Sequence, residues 1–146
     1  HFYVTGKLAR ATPEVVAGAA HNVHFTDFLP DQQYYALLAA ADVVMCLTTR
    51  DHTMQRGACE ALSLGKPIIT SDWPLLRAYF NQGTVHVANT SSTISQGVRT
   101  MHKNYAQYQA EIKALQIAQH SMWQAAKVVL TDMIREAGIG ERMRGA

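Results

Sequence analysis

One stretch of this chain, residues 48–71, reading TTRDHTMQRGACEALSLGKPIITS, leaves little freedom in how it folds. Before it stands an apolar run, Val43-Val44-Met45-Cys46-Leu47. That run is short, contains β-branched residues and ends at a polar cluster, which predicts a buried strand. A polar loop follows to Met54. From Gln55 to Leu64 apolar and small residues recur at helical spacing, and Gly65-Lys66-Pro67 carries helix-stop signals. Ile68-Ile69-Thr70 then reads as a second strand. Strand, loop, helix and strand make a βαβ unit. Its loop, at a strand's carboxyl end and facing a helix N-terminus, is where anionic ligands collect.

The rest of the chain repeats the alternation. Residues 2–5 read as a strand that leaves through Thr5-Gly6-Lys7. Thr12-Pro13-Glu14 starts a short helix running to about Ala20, with Thr at the cap and Pro at the first position. Residues 22–25 form the next strand. Pro30-Asp31 opens a helix whose Tyr34, Leu37, Leu38 and Ala41 share a core-facing stripe. A helical turn over residues 74–80 and a last strand over 84–87 follow. Short strands alternating with helices predict a parallel sheet with right-handed crossovers, hence an α/β fold. From about Ser91 the pattern is helical, with a break expected near His120-Ser121. Gly138 and Gly140 end it, and residues 141–146 read as a frayed basic tail.

Composition narrows the function. The chain has 146 residues, 16% of them charged, and a net charge of +2. That is one domain's worth of ordinary globular sequence, with no basic run to argue for nucleic acid. No stretch reaches the ~20 consecutive apolar residues of a membrane span. Cys46 and Cys59 sit in apolar or small-residue surroundings and read as reduced, buried thiols, which places the protein in the cytoplasm. The seven histidines form no i,i+4 pair and no His-Glu-x-x-His run, and there is no Cys-x-x-Cys, so a zinc site is not expected. No Gly-x-Ser-x-Gly elbow supports serine hydrolase chemistry.

The segment Glu60-Ala61-Leu62-Ser63-Leu64-Gly65-Lys66-Pro67-Ile68-Ile69 resembles the donor-binding core of GT-B glycosyltransferases, of the retaining, family-4-like (group 1) type. Asn22-Val23-His24-Phe25, Phe28-Leu29-Pro30-Asp31 and Ala39-Ala40-Ala41-Asp42-Val43-Val44 fit the same pattern. The likeness covers roughly residues 1–87 and, more loosely, the helices beyond. It implies a Rossmann-like parallel sheet flanked by helices, with about residues 1–90 as the α/β core and 91–140 as C-terminal helices. It also implies a nucleotide-diphosphate sugar as donor substrate, no metal, and a separate N-terminal domain that holds the acceptor. His1 enters a strand at once, so a fragment of such a two-domain enzyme is expected, one that binds donor without transferring sugar. The apolar stripe that its last helix would then leave uncovered predicts self-association.

The resemblance makes Glu60 the residue that accepts hydrogen bonds from ribose hydroxyls, a task for which a carboxylate is well suited. The reading expects it to wait in a wet cleft with no essential protein partner. The family's first glutamate lies eight residues earlier, and here that position is His52, beside Asp51; these two are the candidate catalytic residues. Thr53, Met54, Gln55 and Arg56 stand where glycine-rich residues are usual, at the loop-to-helix junction. Backbone amides there, with Arg50 and Arg56 as cations, could stabilise a departing diphosphate without a metal. Lys7 could reach a phosphate, although a single Gly-Lys is not a P-loop. Two alternatives stay open: a related GT-B sugar-nucleotide enzyme such as an epimerase, and a ligand-free Rossmann-like interaction module.

Overall fold

A computed structural model of the chain describes residues 1–137. These residues fall into two compact units, one of residues 1–41 and one that begins at Asp42. The expected stops at Gly138 and Gly140 and the expected tail lie outside the described residues.

In the first unit, β1 (Phe2–Thr5) pairs in parallel with β2 (Val23–Asp27), with a register shift between Val4 and Thr5. Between them lie a 3-10 turn (Leu8–Arg10) and α1 (Pro13–Ala17), which starts with Pro13 after Thr12. The sequence places the end of α1 near Ala20. It stops at Ala17 because Gly18, with the poorest helix propensity after proline, takes the C-cap. Then comes α2 (Asp31–Ala40), whose buried residue is Leu38, on the stripe read from the sequence.

The second unit holds a three-stranded parallel sheet in the order β3 (Val44–Cys46), β4 (Ile68–Ser71), β5 (Thr84–Val87). The strands therefore form two hydrogen-bonded sheets, one in each unit, and every pairing is parallel, as the α/β alternation requires. Crossovers are α3 (Arg56–Ser63) and α4 (Pro74–Tyr79). The central strand β4 is buried at all four residues, as expected of a parallel strand covered on both faces. Its Ile69 packs with Val87 and Met101, and Val43, Leu47, Val85 and Val98 close around them.

Helices α5 (Ser91–Lys103) and α6 (Tyr105–Glu136) follow. Thr90 and Thr93 form a capping box that fixes the start of α5 where the sequence places it. The expected break at His120-Ser121 does not occur. Ser121 Oγ returns its hydrogen bond to the Ile117 carbonyl at 3.0 Å, which a helix tolerates. The junction lies instead at Asn104, whose amide donates to the Thr100 carbonyl at 3.1 Å. Gly83 is what lets α6 approach the start of β5. Its φ is +64°, and a Cβ there would lie 2.4 Å from the backbone nitrogen of Ile112.

Candidate site at the carboxyl edge of the second sheet

Parallel strands release their loops on one edge, and three loops leave β3, β4 and β5 there. The β3 exit is the loop the sequence singles out. Asp51 and His52 are brought together within it. The His52 amide donates to Asp51 Oδ1 at 2.7 Å, and the His52 ring lies 3.4 Å from Asp51 Oδ2. His52 has φ +56°, a left-handed conformation that a non-glycine residue takes only in special turns. The Arg50 amide is held by Thr48 Oγ1 at 3.1 Å. Thr53 Oγ1 reaches the Asp51 carbonyl at 3.5 Å. Arg50, Asp51, His52 and Met54 are exposed, and Thr53 and Gln55 are half-buried.

Gln55 is the N-cap of α3, although its side chain does not cap. No acidic residue lies in the first turn, so the partial positive charge of the helix end is not offset locally. Glu60 lies one turn further on. Its side chain is 15% exposed, and Oε1 accepts from Arg56 Nε at 2.7 Å. The expectation that Glu60 has no protein partner is therefore corrected. The i,i+4 spacing, with arginine in the first turn, brings the two side chains together on one helix face. The Glu60 charge also reaches the end of β3. Burial first, then Glu60, then Cys59 push the Cys46 thiol up to about 11. Burial and Glu60 likewise raise Cys59.

The sequence reading missed the residues on the other two exits. Thr48 donates its amide to Ser71 Oγ at 2.8 Å, and Ser71 Oγ donates to Asn89 Oδ1 at 2.8 Å. Asn89 Nδ2 donates to the Thr48 carbonyl at 2.7 Å, and Trp73 Nε1 to the same oxygen at 3.0 Å. A polar residue directly after each apolar strand, Ser71 after Ile68-Ile69-Thr70 and Asn89 after Val87-Ala88, was the available signal. On the same edge Asp72 accepts from Arg77 Nη2 at 2.8 Å, and that guanidinium holds its carboxyl below the usual carboxylate range.

Lys7 belongs to the first unit. It is exposed, next to the 3-10 turn whose Leu8 amide donates to Asp27 Oδ1 at 2.8 Å. Bonds from the Leu8 and Phe28 amides, with a smaller pull from Lys7, lower the Asp27 carboxyl. Among the described residues no group of three His, Cys, Asp or Glu could hold a metal ion. Nor is any described helix long and apolar enough to cross a membrane.

The second sheet thus carries a loop at its carboxyl edge and, on the helix behind that loop, a largely covered carboxylate, Glu60, paired with Arg56. The family model for glycosyl transferases group 1 matches residues 1–104. The chain belongs to that family. No curated protein sequence matches it. Among solved structures, this group 1 glycosyltransferase chain is similar to Anabaena HepE, whose crystal structure is in complex with UDP-glucose. The match has a TM-score of 0.65 at 18% identity and covers 89% of this chain and 40% of HepE. The fold is thereby that of GT-B glycosyltransferases, Rossmann-like α/β with parallel sheets flanked by helices. The glycosyltransferase chain spans 40% of the length of HepE.

Proposed function

We propose that this chain binds the nucleotide-diphosphate sugar donor of a glycosyltransferase, at the carboxyl edge of the β3-β4-β5 sheet. The observation that carries the reading is Glu60, a carboxylate 15% exposed in the second turn of α3 and close enough to the end of β3 to raise the Cys46 thiol. A carboxylate accepts several hydrogen bonds across two oxygens, so it can take ribose hydroxyls while keeping Arg56. The first-turn amides of α3, with Arg56 and Arg50, would face the diphosphate and stabilise it as it departs, a task that needs no divalent ion. His52 and Asp51, at the tip of the loop, would meet the hexosyl group. The acceptor would come from a separate N-terminal domain. Both cysteines are free thiols, which supports a reducing compartment such as the cytoplasm.

HepE was crystallised with UDP-glucose, so uridine nucleotides are the first probes. Thermal unfolding of the chain with UDP, GDP and ADP tests the reading. Raised melting temperature with at least one of them is the expected outcome, since ligand that binds only the folded state stabilises it by mass action. No shift with any of the three at millimolar concentration would refute it.

A further inference from the structure

Among the described residues, the buried polar ones are Thr70 and Ser71, 0% and 1% exposed, side by side at the end of β4. A hydroxyl in a core costs free energy unless it is bonded, and valine or alanine would fill those positions more simply. Successive strand residues point to opposite faces, so this pair can reach two different points of one loop. Both do. Ser71 holds Thr48, where the β3 loop begins. Thr70 Oγ1, 2.8 Å from the Cys46 carbonyl, is 3.0 Å from Gln55 Oε1, where the loop ends and α3 starts.

The Ser71 end is a closed ring. The proton of the Thr48 amide goes to Ser71, that of Ser71 to Asn89, and an amide proton of Asn89 to the Thr48 carbonyl. Trp73 donates to the same carbonyl. One residue of the β3 exit, Thr48, is thus tied through both its amide and its carbonyl to side chains from the exits of β4 and β5. A single-residue contact would let the loop pivot, whereas anchors at both ends leave only its tip to vary.

We propose that Thr70, Ser71 and Asn89 act as positioning residues, a clamp that holds the 48–55 loop in its donor-ready shape before any ligand arrives. This rests on the donor-binding reading above. It assigns a role to three side chains on β4 and after β5 that the loop's own sequence does not reveal. A loop held in its bound conformation loses less entropy on binding, so affinity should depend on the clamp.

Hydrogen exchange on the ligand-free 146-residue chain, followed by calorimetry with UDP, tests this. In Ser71→Ala, Asn89→Ala and Thr70→Val, amides of residues 47–55 should exchange about two- to tenfold faster, the scale of one lost hydrogen bond, while β4 and β5 amides stay protected. UDP affinity should fall by about the same factor. Thr70→Ser, which keeps the hydroxyl, should restore loop protection. Should Thr70→Val not fold, Ser71→Ala and Asn89→Ala carry the test. Glu60→Gln should weaken UDP without changing loop exchange. Unchanged loop exchange in the clamp variants overturns the proposal whatever the affinities are. Faster loop exchange with unchanged UDP affinity overturns the positioning role. Faster loop exchange in a chain whose wild type ignores UDP, GDP and ADP alike overturns the donor reading and the positioning role with it.

Discussion

The Cys46 thiol offers a ligand-free test of how the site is built. It ends β3 half-buried, and its ionisation is pushed from 9.0 to about 11, first by burial, then by the Glu60 carboxylate, then by Cys59. In the unfolded chain the same thiol ionises near its ordinary value, so between about pH 9 and about pH 11 the unfolded state releases a proton that the folded state keeps. The stability linked to Cys46 is therefore fully present below pH 9 and lost as pH rises through 11. A two-unit shift corresponds to about 2.7 kcal/mol at the limit, and to about 2 kcal/mol at about pH 10.5. Urea unfolding in the presence of reductant, at about pH 8 and about pH 10.5, measures it. Cys46→Ala loses the titrating group, so wild type should lose about 2 kcal/mol more than this variant over that interval. Glu60→Gln removes the second cause and leaves the first. Its Cys46-linked loss should shrink without vanishing. Parallel losses in wild type and Cys46→Ala would refute both the burial of the thiol and the argument that places Glu60 beside it.

Gly83→Ala tests the approach of α6 to β5. A left-handed φ and a Cβ 2.4 Å from Ile112 together predict a loss of about 2–5 kcal/mol in urea unfolding; a near-neutral result would contradict the packing. Nucleotide binding should persist in EDTA, because in the proposed site the arginines and helix amides would serve the diphosphate; calorimetry in which binding disappears on chelation and returns with Mg²⁺ would overturn that. Self-association should increase with concentration, since Met122, Trp123, Val129, Leu130 and Met133 of α6 are each more than half exposed. Sedimentation showing a clean monomer at high concentration would count against it.

Local signals were legible because each is written in neighbouring residues. Thr12-Pro13 announces α1, Gly65-Lys66-Pro67 closes the βαβ helix, and the apolar runs at 43–47 and 68–70 locate β3 and β4 to within a residue or two. Glu60 stood out through its place in the family-like Glu60-Ala61 segment. The side chains that shape the loop were not legible in the same way. Thr48 meets Ser71 and Asn89 across 23 and 41 residues, and pairings at that range depend on strand order and register, which no local pattern states. The partnership of Arg56 with Glu60 was within reach, since i,i+4 opposite charges on a helix pair readily. The reading gave Arg56 to the diphosphate and overlooked its neighbour. The misplaced break in α6 has a related cause. His120-Ser121 looks polar, yet one serine bonded back to its own helix does not interrupt it, whereas Asn104 ends α5 with its side chain on the Thr100 carbonyl.

Calorimetric titration of UDP into wild type and Glu60→Gln tests the central claim most directly. A glutamine keeps the shape of Glu60 but puts an amide NH₂, which cannot accept a hydroxyl proton, in place of one carboxylate oxygen. A charge-assisted bond contributes about 1.5–3 kcal/mol, so UDP affinity should fall by about one to two powers of ten. The ligand-free chain should lose little, about 0.3–0.5 kcal/mol for an i,i+4 pair with an exposed guanidinium, and its melting temperature serves as the control. Equal UDP affinity in the two proteins, with both folded, would remove Glu60 from the site and contradict the account.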